Sequence, residues 1–137
     1  MRHASRRSAL FAACVTALAA ALIGLAPATA VANDERKLSG VEIEDILVGN
    51  TIEGLWAGRA YKQFFDGSGN TLYVEEDRQP SMGRWKADKE KDAYCSWWEV
   101  GGWSCYEVLD GGPDTIIWVS PGSGDKYPAK VLPGDQL

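Results

Sequence analysis

Two cysteines ten residues apart, with a pair of glycines between them, constrain this chain more than anything else in it. Residues 92–108 read Asp-Ala-Tyr-Cys-Ser-Trp-Trp-Glu-Val-Gly-Gly-Trp-Ser-Cys-Tyr-Glu-Val. Gly101-Gly102 separates two runs rich in aromatic and β-branched residues, the pattern of a β-hairpin. Cys95 and Cys105, Trp97 and Trp103, and Tyr94 and Tyr106 are each symmetric about position 100. A register that follows this symmetry sets each pair directly opposite across the ladder. Side-chain alternation then puts Cys95, Trp97, Trp103 and Cys105 on one face, and Tyr94, Trp98 and Tyr106 on the other. Directly opposed positions bring two Cα atoms close enough for a disulfide. Trp97 and Trp103 are expected to cover that disulfide as an inner cluster, packed on the strands that start at Leu55 and Thr115. Trp98 then faces outward near the turn.

The start of the chain supplies the compartment that a disulfide needs. Arg2, Arg6 and Arg7 precede an apolar run over residues 9–26, and Ala28-Thr29-Ala30 and Ala30-Val31-Ala32 offer small residues for cleavage. This is the pattern of a secretory signal, with cleavage expected after Ala32. Ser5-Arg6-Arg7-Ser8-Ala9-Leu10 also resembles a twin-arginine signal, although Ala9 stands where a bulky apolar residue is usual. The expected organisation is a cleaved signal peptide over 1–32 and one domain over 33–137. Removal of the signal takes His3, Cys14 and three arginines, leaving 11 basic and 19 acidic groups of the original 14 and 19, a net charge of −8. A single bridge between Cys95 and Cys105 suits a small secreted domain with a modest core. No later run is long and apolar enough to span a membrane as a helix.

Residues 33–37 are polar and expected to fray. Residues 39–48 read as a short helix with Ser39 and Glu42 forming a capping box, an apolar stripe of Val41, Ile43, Ile46, Leu47 and Val48, and a stop at Gly49. Residues 55–65 read as the first long strand, and 71–75 as its return. Between them, Asp66, Ser68 and Asn70 have the alternate spacing of a calcium loop. The glycine such a loop needs is replaced by Thr71, so a plain turn is the better reading. Residues 80–87 give another strand and 115–120 an apolar, β-branched one. Residues 127–132 form a last strand that Pro128 is expected to confine to an edge. The sum is a mainly β protein: a small antiparallel β-barrel or strongly curved meander sheet of about seven strands, with one short N-terminal helix over an opening. A flatter sandwich is the alternative.

Several chemistries are ruled out by residue type. With His3 removed there is no histidine, which excludes Ser-His and Cys-His catalysis and His-based metal sites. Bridged cysteines leave no thiolate, and no phosphate-cradling glycine motif is present. The acidic balance argues against nucleic acid. Only carboxylate chemistry is left for an enzyme, and no spacing pairs two carboxylates. No metal or cofactor is expected. The surplus is aromatic, with six tryptophans and five tyrosines in the chain. Such side chains stack on sugars, rings or proteins. Trp98 and Trp103 at the hairpin tip, and Trp56 and Tyr61 on the first strand, are the candidate binding residues.

Val48-Gly49-Asn50-Thr51-Ile52-Glu53-Gly54, Gly83-Arg84-Trp85, Tyr94-Cys95-Ser96-Trp97 and Cys105-Tyr106 together resemble a family of small secreted alphaproteobacterial proteins of unknown function. That resemblance spans most of residues 33–137 and implies no activity. A weaker resemblance is to small calycin-like barrels, including secreted inhibitors of bacterial metalloproteases, which share a Gly-x-Trp and one disulfide. In those barrels the Gly-x-Trp lies near the mature start, whereas here it lies mid-chain. The expected function is a periplasmic or secreted, non-enzymatic and monomeric binding module for a small ligand or a protein. Inhibition of a secreted hydrolase is the alternative, favoured if residues 33–38 protrude to enter a protease cleft. A carboxylate-based enzyme comes third.

Overall fold

The computed structural model describes residues 35–137. The expected signal peptide and its cleavage site lie outside the described residues. One helix, α1 (Gly40–Leu47), precedes eight strands: β1 (Thr51–Trp56), β2 (Arg59–Phe65), β3 (Asn70–Glu75), β4 (Ser81–Asp88), β5 (Ala93–Trp98), β6 (Gly102–Asp110), β7 (Thr115–Val119) and β8 (Lys126–Leu132). All are antiparallel to their neighbours, in sequence order, and β8 pairs with β1 to close a barrel. Eight strands enclose a space just wide enough for side chains or one small ligand.

The expected strand over residues 55–65 is in fact parts of two strands. β1 and β2 form a hairpin through Ala57-Gly58, both left-handed with φ of 48° and 83°. Positive φ at both central positions is the type I′ form of a two-residue hairpin turn, which glycine adopts freely and alanine does not. Ala57 therefore hid the turn within an unbroken run, and the count rises to eight. The last strand is no edge either. β8 pairs with β7 from Lys126 and with β1 from Ala129 onward. Pro128 thus meets a neighbour on the β7 side only, the one-sided pairing that proline tolerates.

The capping box forms as read. Ser39 Oγ accepts from the Glu42 amide at 3.3 Å, and Glu42 Oε2 accepts from the Ser39 amide at 2.8 Å. The apolar stripe is narrower than expected. Ile43 and Leu47 are buried, while Val41 and Val48 are 52% and 43% exposed. α1 closes one end of the barrel, with the Gly40 amide donating to Asp92 Oδ1 at 2.9 Å. A Cβ at Gly40 would stand 2.7 Å from backbone atoms of Asp88 and Lys89, so this contact admits only glycine. Residues 36–38 do not fray. The Leu38 amide donates to Val108 O and the Asp110 amide to Arg36 O, both at 2.8 Å, strapping the segment to β6.

The closed half of the barrel is a packed core. Phe65 is fully buried, with the rings of Trp85 and Tyr94 edge-on at 5.3 and 5.8 Å. Ile43, Leu47, Ile52, Val108 and Ile116 fill the space around it.

The stapled hairpin keeps the register read from its symmetry: Tyr94 opposite Tyr106, Cys95 opposite Cys105, and Trp97 opposite Trp103. The disulfide is formed. The division into two faces also holds, but inside and outside are exchanged. Tyr94, Trp98 and Tyr106 point into the barrel, and the bridge with Trp97 and Trp103 lies on the outer wall. The neighbouring strand decides this. Arg84 lies opposite Trp97 and Lys86 opposite Cys95, so that row must face water. Arg84 sits 5.5 Å over the Trp97 ring and Lys86 5.1 Å over that of Trp103. Glu53, Lys62, Glu107 and Lys130 also occupy outward positions. Among the described residues no helix is long and apolar enough to cross a membrane.

Candidate ligand cavity

The end of the barrel opposite α1 is open. Alternation on β2 sends Tyr61, Gln63 and Phe65 inward, and on β5 it does the same for Tyr94, Ser96 and Trp98. Glycines face these large groups and make room for them. Gly54 lies opposite Tyr61, and a Cβ at Gly83 would stand 2.7 Å from the Trp98 ring. The result is a cavity of about 650 Å³ whose walls include Trp56, Tyr61, Tyr73, Tyr94, Trp98, Tyr106 and Trp118. Pro80, Met82, Glu99 and Val100 stand at its mouth. Both its size and its largely aromatic lining match small-molecule sites.

The rings support one another in a chain around the wall. Tyr61 stacks on Tyr73 at 5.2 Å, and Tyr73 meets Trp98 edge-on at 5.9 Å. Tyr94 contacts Trp118 at 4.9 Å and Tyr106 at 6.0 Å, and Tyr106 meets Trp56 at 5.8 Å. Trp118 Nε1 donates to the Tyr61 hydroxyl at 2.8 Å, linking the two halves of the chain. Large rigid rings fixed in this way lose little entropy when they meet a ligand.

One polar group sits deep among them. Gln63 is 6% exposed, and its Nε2 donates to Thr71 Oγ1 at 2.9 Å and to the Tyr94 hydroxyl at 3.1 Å. Thr71 Oγ1 spends its own proton on Phe64 O at 2.8 Å, so towards Gln63 it can only accept. This fixes which end of the amide is nitrogen. Charge is confined to the rim. Glu75, whose side chain is 12% exposed, is held by Arg78 Nε at 2.9 Å and Arg59 Nη1 at 3.7 Å. It faces an arginine pair and no second carboxylate. In the β2–β3 turn, Asp66 Oδ1 accepts from the amides of Ser68 and Asn70 at 3.0 and 2.8 Å, the bonding of a plain turn. Among the described residues no three His, Cys, Asp or Glu side chains gather to hold a metal.

Burial pushes the phenols of Tyr61, Tyr94 and Tyr106 up, and burial with the nearby Glu75 carboxylate pushes Tyr73 up to about 12. The unfolded chain loses its phenolic protons near pH ~10. Between that pH and the folded values, the unfolded state binds fewer protons than the native state, so stability falls as pH rises. The denaturant midpoint is therefore expected to hold steady from pH 7 to 9 and to drop between pH 10 and 12. A midpoint that stays level through that upper window would show the tyrosines to be solvated.

Of the four candidate aromatics, Trp56, Tyr61 and Trp98 meet in the cavity. Trp103 does not: it is 49% exposed on the outer wall beneath Lys86. Gln63, Tyr73, Tyr94, Tyr106 and Trp118 were missed as site residues. The two-residue period on β2 and β5 was the available signal, since it carries Gln63 inward with Tyr61 and Tyr94 inward with Trp98. Comparison of the chain with protein-family models, with curated proteins and with solved structures finds no match.

Proposed function

We propose that this protein is a secreted or periplasmic binding module that holds a small molecule inside its barrel and performs no chemistry on it. The open, aromatic-lined cavity of about 650 Å³ carries this reading. The absence of histidine from residues 33–137 and the rim position of Glu75 favour binding over catalysis. The alternative, inhibition of a hydrolase by an inserted N-terminal segment, loses support because residues 36–38 are paired to β6.

The test uses N-phenyl-1-naphthylamine, an uncharged probe that brightens in apolar surroundings. Saturable binding with a stoichiometry of one is expected. Trp98→Ala should weaken it by about tenfold, as when an aromatic ring is removed from the centre of a binding site, whereas Trp103→Ala should leave it unchanged. The opposite pattern would move the site to the outer wall.

A further inference from the structure

Resting on that reading, we infer that the cavity selects uncharged, ring-bearing ligands that carry an amide-type group, an N–H beside a C=O. Unused hydrogen-bonding atoms on the lining point to this, an acceptor on Gln63 and donors on Tyr94 and Tyr61. With both Nε2 protons of Gln63 engaged, its Oε1 is left as an acceptor, and among the described residues no protein donor reaches it. Among those same residues no fully buried side-chain nitrogen or oxygen lacks a partner, so this unpartnered oxygen is one that opens to the cavity Gln63 lines. The Tyr94 hydroxyl accepts from Gln63 Nε2 and the Tyr61 hydroxyl from Trp118 Nε1, and among the described residues no protein acceptor takes the proton of either. The 3.1 Å bond to Nε2 keeps the Tyr94 hydroxyl close to the same amide's Oε1, and Tyr61 follows two positions away on the inward face of β2.

The wall therefore offers one acceptor with tyrosine donors on the same lining, within aromatic surroundings. A carboxamide or lactam supplies both complements, an N–H for Gln63 Oε1 and a C=O for a tyrosine hydroxyl. A hydrocarbon leaves both unpaired when it displaces water, and such a site discriminates strongly against a ligand lacking the group it is built to meet. A carboxylate can take a tyrosine proton but has no N–H for Gln63 Oε1. Its charge also finds no free cation: among the described residues Glu99 is the only charged side chain along the lining, and Arg59 and Arg78 at the rim are already paired with Glu75.

The experiment is displacement of N-phenyl-1-naphthylamine from the folded protein by three compounds of similar size: naphthalene-2-carboxamide, 2-naphthoate and 2-ethylnaphthalene. The carboxamide is expected to displace the probe at about tenfold lower concentration than either of the others. In Gln63→Met, its advantage over 2-ethylnaphthalene should shrink to about twofold or less. Equal displacement by carboxamide and hydrocarbon would overturn the amide-type group, and naphthoate matching the carboxamide would overturn the selection against charge. In both cases cavity binding would stand. Retention of the full preference in Gln63→Met would remove Gln63 as its source. Failure of the probe itself to bind would instead sink the binding function on which all of this rests.

Discussion

Phe65→Ala is expected to lower the free energy of unfolding by about 3–5 kcal/mol, the range for deleting a large ring from a packed core. Phe65 is fully buried, and two aromatic neighbours meet it edge-on. Neither can collapse into the space left behind. The Trp85 indole is tethered by its Nε1 to Asp66 O at 3.0 Å, and the Tyr94 hydroxyl is held by Gln63. The cavity thus persists, which places the loss at the costly end. Trp103→Ala is the control. Its ring is half exposed on the outer wall, so its loss should cost no more than about 1 kcal/mol. Chemical denaturation of both variants at neutral pH makes the comparison. A larger loss for Trp103 than for Phe65 would mean that the hairpin presents its bridged face to the core.

Removing the disulfide is expected to be the next largest loss. The bridge joins residues separated by 10 positions, and closing so short a loop in the unfolded chain stabilises the fold by about 3 kcal/mol on the chain-entropy model. The double variant Cys95→Ser/Cys105→Ser should show that deficit in denaturant titration while still folding. Its eight ladders, and the inward cluster around Tyr94 and Tyr106, do not pass through the sulfurs. In the unreduced protein, peptide mapping after alkylation should find neither Cys95 nor Cys105 modified. Free thiols at both would remove the staple and make the double variant neutral.

How much of this was legible depended on whether a feature was local. The β5–β6 register and its bridge could be read because the pairing symmetry lies within one short stretch. The capping box could be read because Ser39 and Glu42 are one turn apart. The two faces of the hairpin were separable by alternation alone. Which face lay inside was not a property of the hairpin. It depended on Gly83-Arg84-Trp85-Lys86 across the next ladder, where charge alternates with glycine and tryptophan. That signal has meaning only once β4 is placed beside β5. The Ala57-Gly58 turn was illegible for another reason: an alanine at φ 48° breaks the local preference. The cavity was half legible. Trp56, Tyr61 and Trp98 stood out by residue type, whereas Tyr94, Tyr106 and Trp118 read equally well as core, and Gln63 gains meaning only from its position against Thr71 and Tyr94.

The closed strand order has a kinetic consequence. Seven of the eight ladders join strands that follow one another in the chain, and the eighth joins Thr51 to Leu132 across nearly the whole of it. Hairpins form within microseconds, whereas a contact of such long range carries a large loop-closure entropy, so the β1–β8 seam is the natural last step. Until it closes, β1 and β8 are both bare edges on a nearly finished sheet, open to pairing with another molecule. Gly54 on one side of the seam and Pro128 beside the other make those two edges poor templates for a stranger. The residues that look weakest in these two strands protect the chain during the interval before the barrel shuts.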